Sequence, residues 1–170
     1  MAEPKRGETR RGSNVTRIIR LYRATAPLIH VWWRFSRGMT LGVRVAALDE
    51  AGRVALIRHT YKHGWELPGG GVERGETAEA AARRELEEEA NAAVEGPFEL
   101  VSVHANFAVL RGDHVLFYRC RARSLGARPA DREIAEVRWV GPDDAPDELT
   151  AGARRRLEEL WRGANASAHW

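Results

Sequence analysis

Cysteine occurs once, at Cys120, which excludes an internal disulfide framework and any multi-cysteine metal cluster and fits a reducing compartment. No apolar run approaches the ~18 uninterrupted residues of a transmembrane span. No apolar core followed by a small-residue cleavage site marks a secretory signal. The six histidines include one H-x-x-x-H pair, His59 and His63, at a strand end and in a loop and not on a helix, so a zinc site is not expected. Internal repeats, a helix-turn-helix pattern and zinc fingers are also missing, so nothing marks specific nucleic-acid recognition. A cytoplasmic location is expected.

The chain has 170 residues, of which 44% are apolar and 30% charged, the composition of one soluble globular domain with a single core. The net charge of +3 hides an uneven distribution. Residues 1–40 carry nine Lys or Arg against two Glu, whereas the remainder has an acidic excess. The basic character therefore belongs to the N-terminal extension and does not mark the whole chain as a nucleic-acid binder.

Residues 1–16 are polar and Arg-rich and are expected to form a mobile basic tail. Residues 17–38 mix Ile18, Leu21, Trp32, Trp33 and Phe35 with arginines, and Pro27 interrupts any helix there. This extension suits either contact with a membrane surface through residues 17–35 or packing on the core or on a second subunit, so a homodimer stays open. Residues 39–163 are expected to form the folded domain, with residues 164–170 as a C-terminal tail.

Within that domain, Leu41–Leu48 and Arg53–His59 read as strands of a hairpin. Thr77–Ala90 reads as a helix capped at or near Thr77. Phe98–Leu110 and His114–Ala122 predict a second hairpin, followed by a strand at Glu136–Val140 and a helix over about Asp147–Arg162. Strands on both sides of an internal helix predict an α/β fold, a sandwich of helices around a sheet. Cys120 falls in a strand and reads as a small core residue.

The segment Gly69–Ala92, GGGVERGETAEAAARRELEEEANA, concentrates the chemistry. Glu85, Glu88 and Glu89 stand at i, i+3 and i+4 and share one helix face. Three like charges so close repel one another and weaken the helix unless a cation compensates. A hard divalent cation such as Mg²⁺ or Mn²⁺ takes carboxylate and water oxygens and bridges carboxylates to phosphates, which suggests phosphoryl chemistry. A solvated acidic face balanced by Arg83 and Arg84 is the simpler reading of such a charge run. The glycines ahead of the helix favour the cation, because they let the backbone turn tightly beside the carboxylates.

These residues closely resemble the signature of the Nudix hydrolase family, Gly-x5-Glu-x7-Arg-Glu-U-x-Glu-Glu-x-Gly-U, where U is aliphatic. Gly70, Glu76, Arg84, Glu85, Leu86, Glu88 and Glu89 occupy its positions, and Asn91 and Ala92 depart from its last two. Asparagine is the next most tolerant residue after glycine for the left-handed conformation that ends a helix.

The resemblance implies a Nudix-type α/β/α sandwich with a mixed sheet. It also implies Mg²⁺- or Mn²⁺-dependent hydrolysis of a nucleoside diphosphate linked to another group X, by attack of metal-activated water. Carried over, Glu85, Glu88, Glu89 and the Gly69 carbonyl look like metal ligands, and Glu88 or Glu89 orients or deprotonates the water. Glu76 and Arg84 look like a structural ion pair, and Glu133, favoured over Glu136, looks like the carboxylate that completes the site. Arg44 and Arg58 are expected at phosphate oxygens if they face the cleft, Trp65 as a stacking or packing residue, and Phe107 and His114 along the substrate pocket. His59 and His63 read chiefly as solvent-facing. The identity of X stays open. A ligand-sensing module of the same fold, its basic extension contacting nucleic acid or membrane, is the alternative; the complete set of box carboxylates argues against it.

Overall fold

The computed structural model describes residues 38–129 and 131–170. The basic tail and the 17–35 membrane-contact segment expected from the sequence lie outside the described residues. No helix among the described residues is long and apolar enough to cross a membrane.

The elements run β1 (Thr40–Leu48), β2 (Val54–His59), β3 (Trp65–Glu66), α1 (Ala78–Ala90), β4 (Ala92–Ala105), β5 (Asp113–Ser124), β6 (Ile134–Val140) and α2 (Ala151–Arg162). They form one mixed sheet in the order β3-β2-β1-β5-β4, with β6 on the other side of β2. β1 and β5 pair in parallel from Thr40↔Asp113 to Leu48↔Arg121. Alternation along the strands splits the core between the two faces. Val43, Val45, Ala55, Ile57, Tyr118 and Cys120 pack with Leu86 of α1, while Ala46, Val54, Leu56, Trp65, Leu67 and Phe117 pack with Leu157 of α2. The result is an α/β sandwich with a helix on each face. Cys120 is buried, and desolvation pushes its thiol up to about 12, which leaves it an inert core residue.

β1 and β2 begin as the expected hairpin, around a turn in which Asp49 Oδ1 accepts from the Ala51 and Arg53 amides. They stay paired only at Leu48↔Val54 and then separate. The segment from Trp65 to Val72 fills the gap. β3 pairs with β2 at Ile57↔Glu66 and Arg58↔Trp65. On the other side Val45 N donates to Pro68 O at 2.9 Å, Val43 N to Gly70 O at 2.8 Å and Val72 N to Leu41 O at 2.9 Å. The glycine loop is thereby held as if it were a strand of the sheet. Gly69 is required there: its φ is +145°, and an added Cβ would stand 2.1 Å from the Val43 carbonyl oxygen.

α1 starts at Thr77, whose side chain accepts from Ala80 N at 3.2 Å, and ends at Asn91 in the left-handed conformation, φ 47° and ψ 51°. The residue that departs from the family signature thus still supplies the cap, and its amide adds a hydrogen bond to Gly126 O.

Several boundaries differ from expectation. β4 begins at Ala92 and ends at Ala105, because a register shift between Glu95 and Glu99 absorbs Gly96 and Pro97, and because Asn106 closes the next loop by bonding Asp113. α2 begins at Ala151, since Thr150 and not Asp147 caps it. Residues 164–170 do not trail away as a tail. Ala105 N donates to Ala168 O and Trp170 N to Ala105 O, so the segment lies along the end of β4. Trp170 packs over the Arg156 guanidinium, 5.4 Å from its ring centroid.

Gly69→Ala is expected to destabilise the domain by at least about 3 kcal/mol, because backbone and not a flexible side chain blocks the added methyl. Gly71→Ala, where a Cβ meets nothing within 4 Å, should change stability by no more than about 0.5 kcal/mol. Urea melts of the two variants provide the comparison.

Candidate active site

α1 carries its carboxylates to two different environments. On the solvent side, the Arg84 guanidinium donates to Glu76 at 3.0 and 3.2 Å, to Glu85 at 2.7 Å, and to the Gly71 carbonyl at 3.2 Å. Glu88 is more exposed and lies 3.5 Å from the same guanidinium. Glu76 also accepts from Glu73 N, so it ties the loop before α1 to the helix. The Arg84 hydrogen bond, helped by the Glu73 amide, holds the Glu76 carboxyl below its ordinary value, and the same carboxylates raise Arg84. Glu85 fills the space over Gly70, where a Cβ would stand 2.3 Å from Glu85 Oε1.

Glu89 belongs to the inner stripe of α1 and is only 6% exposed. Its Oε2 accepts from Gly69 N at 2.7 Å, which joins the glycine loop to the helix. Burial pushes its carboxyl up to about 7, against the lowering influence of the Gly69 amide and Arg44. His59 Nε2 lies 3.7 Å from Glu89 Oε1 and 3.1 Å from Glu66 Oε1. Glu66 is held in turn by Lys62 at 2.9 and 3.0 Å and by Arg44 at 3.4 Å.

A ring nitrogen of His59 and one oxygen each of Glu89 and Glu133 lie within 4.8 Å of one another. The exposed Glu133 reaches this point because Thr60 N bonds its carbonyl, while Asp131 Oδ1 accepts from the Glu133 and Ile134 amides. Glu136 is instead occupied by Arg138 at 2.6 Å and Arg58 at 2.9 Å. Of the two carboxylates weighed from the sequence, the fold thus brings Glu133 to Glu89. Glu85 and Glu88 lie on the same helix but turn toward Arg84. Oxygen donors of this kind suit a hard divalent cation, so the residues present fit Mg²⁺ or Mn²⁺.

A cleft of about 620 Å³ opens beside the glycine loop. Arg44, Lys62, Gly70, Gly71, Asn106 and Arg155 are among its walls, which gives it cationic side chains next to the loop. Arg44 is therefore at the cleft, its guanidinium steadied by the Leu67 carbonyl at 2.7 Å.

The other residues expected to touch substrate lie elsewhere. Arg58 is two residues from Leu56 on the α2 face of the sheet and is paired with Glu136. Trp65 is 4% exposed, with the Arg58 and Arg138 guanidiniums 5.6 and 4.7 Å from its ring, so it is a packing residue and not a base-stacking one. Phe107 and His114 pack edge-to-face on each other at 5.3 Å and do not line the cleft. His63 is exposed, but His59, read as solvent-facing, is 7% exposed. Its strand position was informative: two residues beyond Ile57, it shares the face that α1 covers.

Residues 38–160 match the family described as NUDIX domain. This chain is a Nudix hydrolase. A MutT-like protein of Streptomyces ambofaciens is 33% identical over 141 residues, covering 83% of each chain. The crystal structure of a MutT NUDIX hydrolase from Burkholderia pseudomallei is 30% identical with a TM-score of 0.61, covering 72% of this chain and 98% of that one. A NUDIX hydrolase from Nitrosomonas europaea is 28% identical with a TM-score of 0.62, covering 76% of both chains. As a Nudix pyrophosphohydrolase, the chain has its box on the loop and helix that the sheet fixes in place.

The raised Glu89 value has a sign that can be checked in the metal-free protein. With a folded value near 7 against an ordinary 4.5, the folded state binds the extra proton, so stability falls as pH rises through that window. In EDTA at pH 8, Glu89→Gln is expected to melt about 5 °C above wild type, and the difference should vanish near pH 4.5. Thermal unfolding at the two pH values measures it.

Proposed function

We propose that this Nudix hydrolase cleaves the pyrophosphate linkage of a nucleoside diphosphate derivative with water and a divalent cation, Mg²⁺ or Mn²⁺. The observation that carries the reading is Glu89: a buried carboxylate fixed to the glycine loop by the Gly69 amide, close to Glu133 and beside a cationic cleft. Glu85, Glu88, Glu89 and Glu133 would hold the cation. When bound, it would lower the pKa of a coordinated water and neutralise charge on the phosphates.

The chain's own residues supply the rest. Arg44 and Lys62 place positive charge where phosphate oxygens would lie, and Glu66 limits how far they move. The Gly70 and Gly71 backbone lets a phosphate approach closely. Arg84 fixes the loop and helix as one unit through Glu76 and Gly71. In the reaction one phosphorus–oxygen bond breaks, the water oxygen becomes a phosphate oxygen, and a carboxylate takes the proton released. Glu89 is the carboxylate placed to take that proton, buried beside Glu133 and held by the Gly69 amide. A cleft of about 620 Å³ accommodates a nucleotide and does not distinguish among nucleoside triphosphates, nucleotide sugars and dinucleotides.

Product analysis over those compounds and ADP-ribose, with Mg²⁺ and with Mn²⁺, tests the reading. Metal-dependent turnover of one class is expected, falling about 10²–10⁴-fold in Glu89→Gln. Binding of one compound with no turnover under either metal would replace hydrolysis with ligand sensing.

A further inference from the structure

Residues 164–170 bring an aromatic side chain to the cleft, because Trp170 is one of its walls. The segment is fixed from several sides. Ser167 N donates to Glu159 at 3.1 Å, the Ser167 carbonyl accepts from His104 Nδ1 at 2.7 Å, and the Arg155 guanidinium donates to the Trp170 backbone oxygen. The indole has a seat made for it on α2, where a Cβ on Gly152 would run into its Nε1, Cδ1 and Cε2. Glycine is disfavoured in a helix, and here the space of its missing side chain is filled by the ring. Phe117 and His104 meet the indole edge-to-face at 6.1 and 5.8 Å. Even so, Trp170 is only partly buried.

The sheet gives the cleft a direction. Arg44 stands on β1 with Lys62 and the glycine loop, at the cationic end. Further toward the start of β1, Gly42 pairs with Val115 and Thr40 with Asp113, which bonds Asn106 next to the Ala105 that holds the Trp170 segment. Arg44 and Thr40 are four residues apart, a span of roughly 13 Å along a strand, long enough for a nucleoside with its phosphates. The far end is walled by Val109, Leu110, Val115 and Trp170. Val109 is 79% and Leu110 51% exposed, and large apolar side chains left open around a concavity mark a ligand surface. Core packing explains the buried part of Trp170 but not the bare Val109 and Leu110 along the same cleft.

We propose that Trp170 is a specificity-determining residue that receives the substrate's nucleobase, with the phosphates toward Arg44, Lys62 and the glycine loop. The inference rests on the pyrophosphohydrolase reading above and extends it, because it sets which way the substrate lies and makes the base part of what is recognised. An aromatic side chain offers a base a flat apolar partner and offers a bare sugar phosphate nothing comparable.

The test is calorimetric titration of the full chain, with Mg²⁺, using AMP, GMP, CMP, UMP and the base-less ribose 5-phosphate. In wild type at least one of the four nucleotides is expected to bind about tenfold or more tighter than ribose 5-phosphate. Trp170→Ala should remove most of that margin while leaving ribose 5-phosphate binding unchanged, and Trp170→Phe should restore it; a merely structural role would weaken all five compounds alike. A direct reading comes from ¹⁹F spectra of protein carrying 5-fluorotryptophan, with the Trp170 resonance assigned by its loss in Trp170→Phe. That resonance should move with the preferred nucleotide and stay in place with ribose 5-phosphate, which decides the contact even if Trp170→Ala does not fold. No preference for any nucleotide over ribose 5-phosphate, or an unmoved Trp170 resonance, would overturn the proposal. Metal-dependent turnover alongside either result would leave the hydrolase reading intact, whereas base-selective binding at Trp170 without turnover would overturn hydrolysis and keep the base contact.

Discussion

The hydrogen bonds that lock the glycine loop between β1 and β2 are the constraint on which this domain depends. Val43, Val45 and Val72 spend their amides on Gly70, Pro68 and Leu41, so the backbone of the loop is satisfied by the sheet. This leaves no room for a side chain at Gly69, and it aims the Gly69 amide at Glu89. The loop thus carries the order of the sheet into α1. The carboxylates of α1 are positioned by strand pairing as much as by their own helix.

Electrostatics follow from that geometry. A helix bearing Glu85, Glu87, Glu88 and Glu89 within five residues would be unfavourable in isolation. The fold divides the problem: Arg84 gathers Glu76 and Glu85 and lies near Glu88 at the surface, whereas Glu89 enters a buried neighbourhood supplied with Arg44, His59 and Lys62 by way of Glu66. Surface pairs of the first kind are individually weak. Their value here is geometric, since one guanidinium touches the helix, the Glu76 turn and the Gly71 carbonyl together.

Much of this was legible from local sequence because it is local physics. The Thr77 cap, the Asn91 stop, the Glu85, Glu88 and Glu89 spacing and the eight-residue reach from Glu76 to Arg84 all lie within one loop and one helix. What escaped depends on register between distant strands. Whether Arg58 faces the cleft is settled by the pairing of β2 with β3 and β6, which turns it to Glu136, whereas Arg44 is set by the pairing of β1 with β5. Trp65 looked able to stack a base until its place in the α2-side core was known. His59 looked like a strand-end loop residue because its neighbours in sequence are polar, and only α1 lying across its face buries it. The strand expected to start at Phe98 starts at Ala92, because a register shift accommodates Gly96 and Pro97.

The parallel pairing of β1 with β5 bears on the order in which the molecule can be made. A strand at Thr40–Leu48 waits for one at Asp113–Ser124, and β2 waits for β6 at Ile134–Val140. As the chain leaves the ribosome, the residues of the Arg84 cluster emerge together, while β1 and β2 still lack their outer partners. Contacts so far apart in sequence slow folding. The order of synthesis thus delivers the residues of the Arg84 cluster before the strands that complete the sheet beneath Glu89.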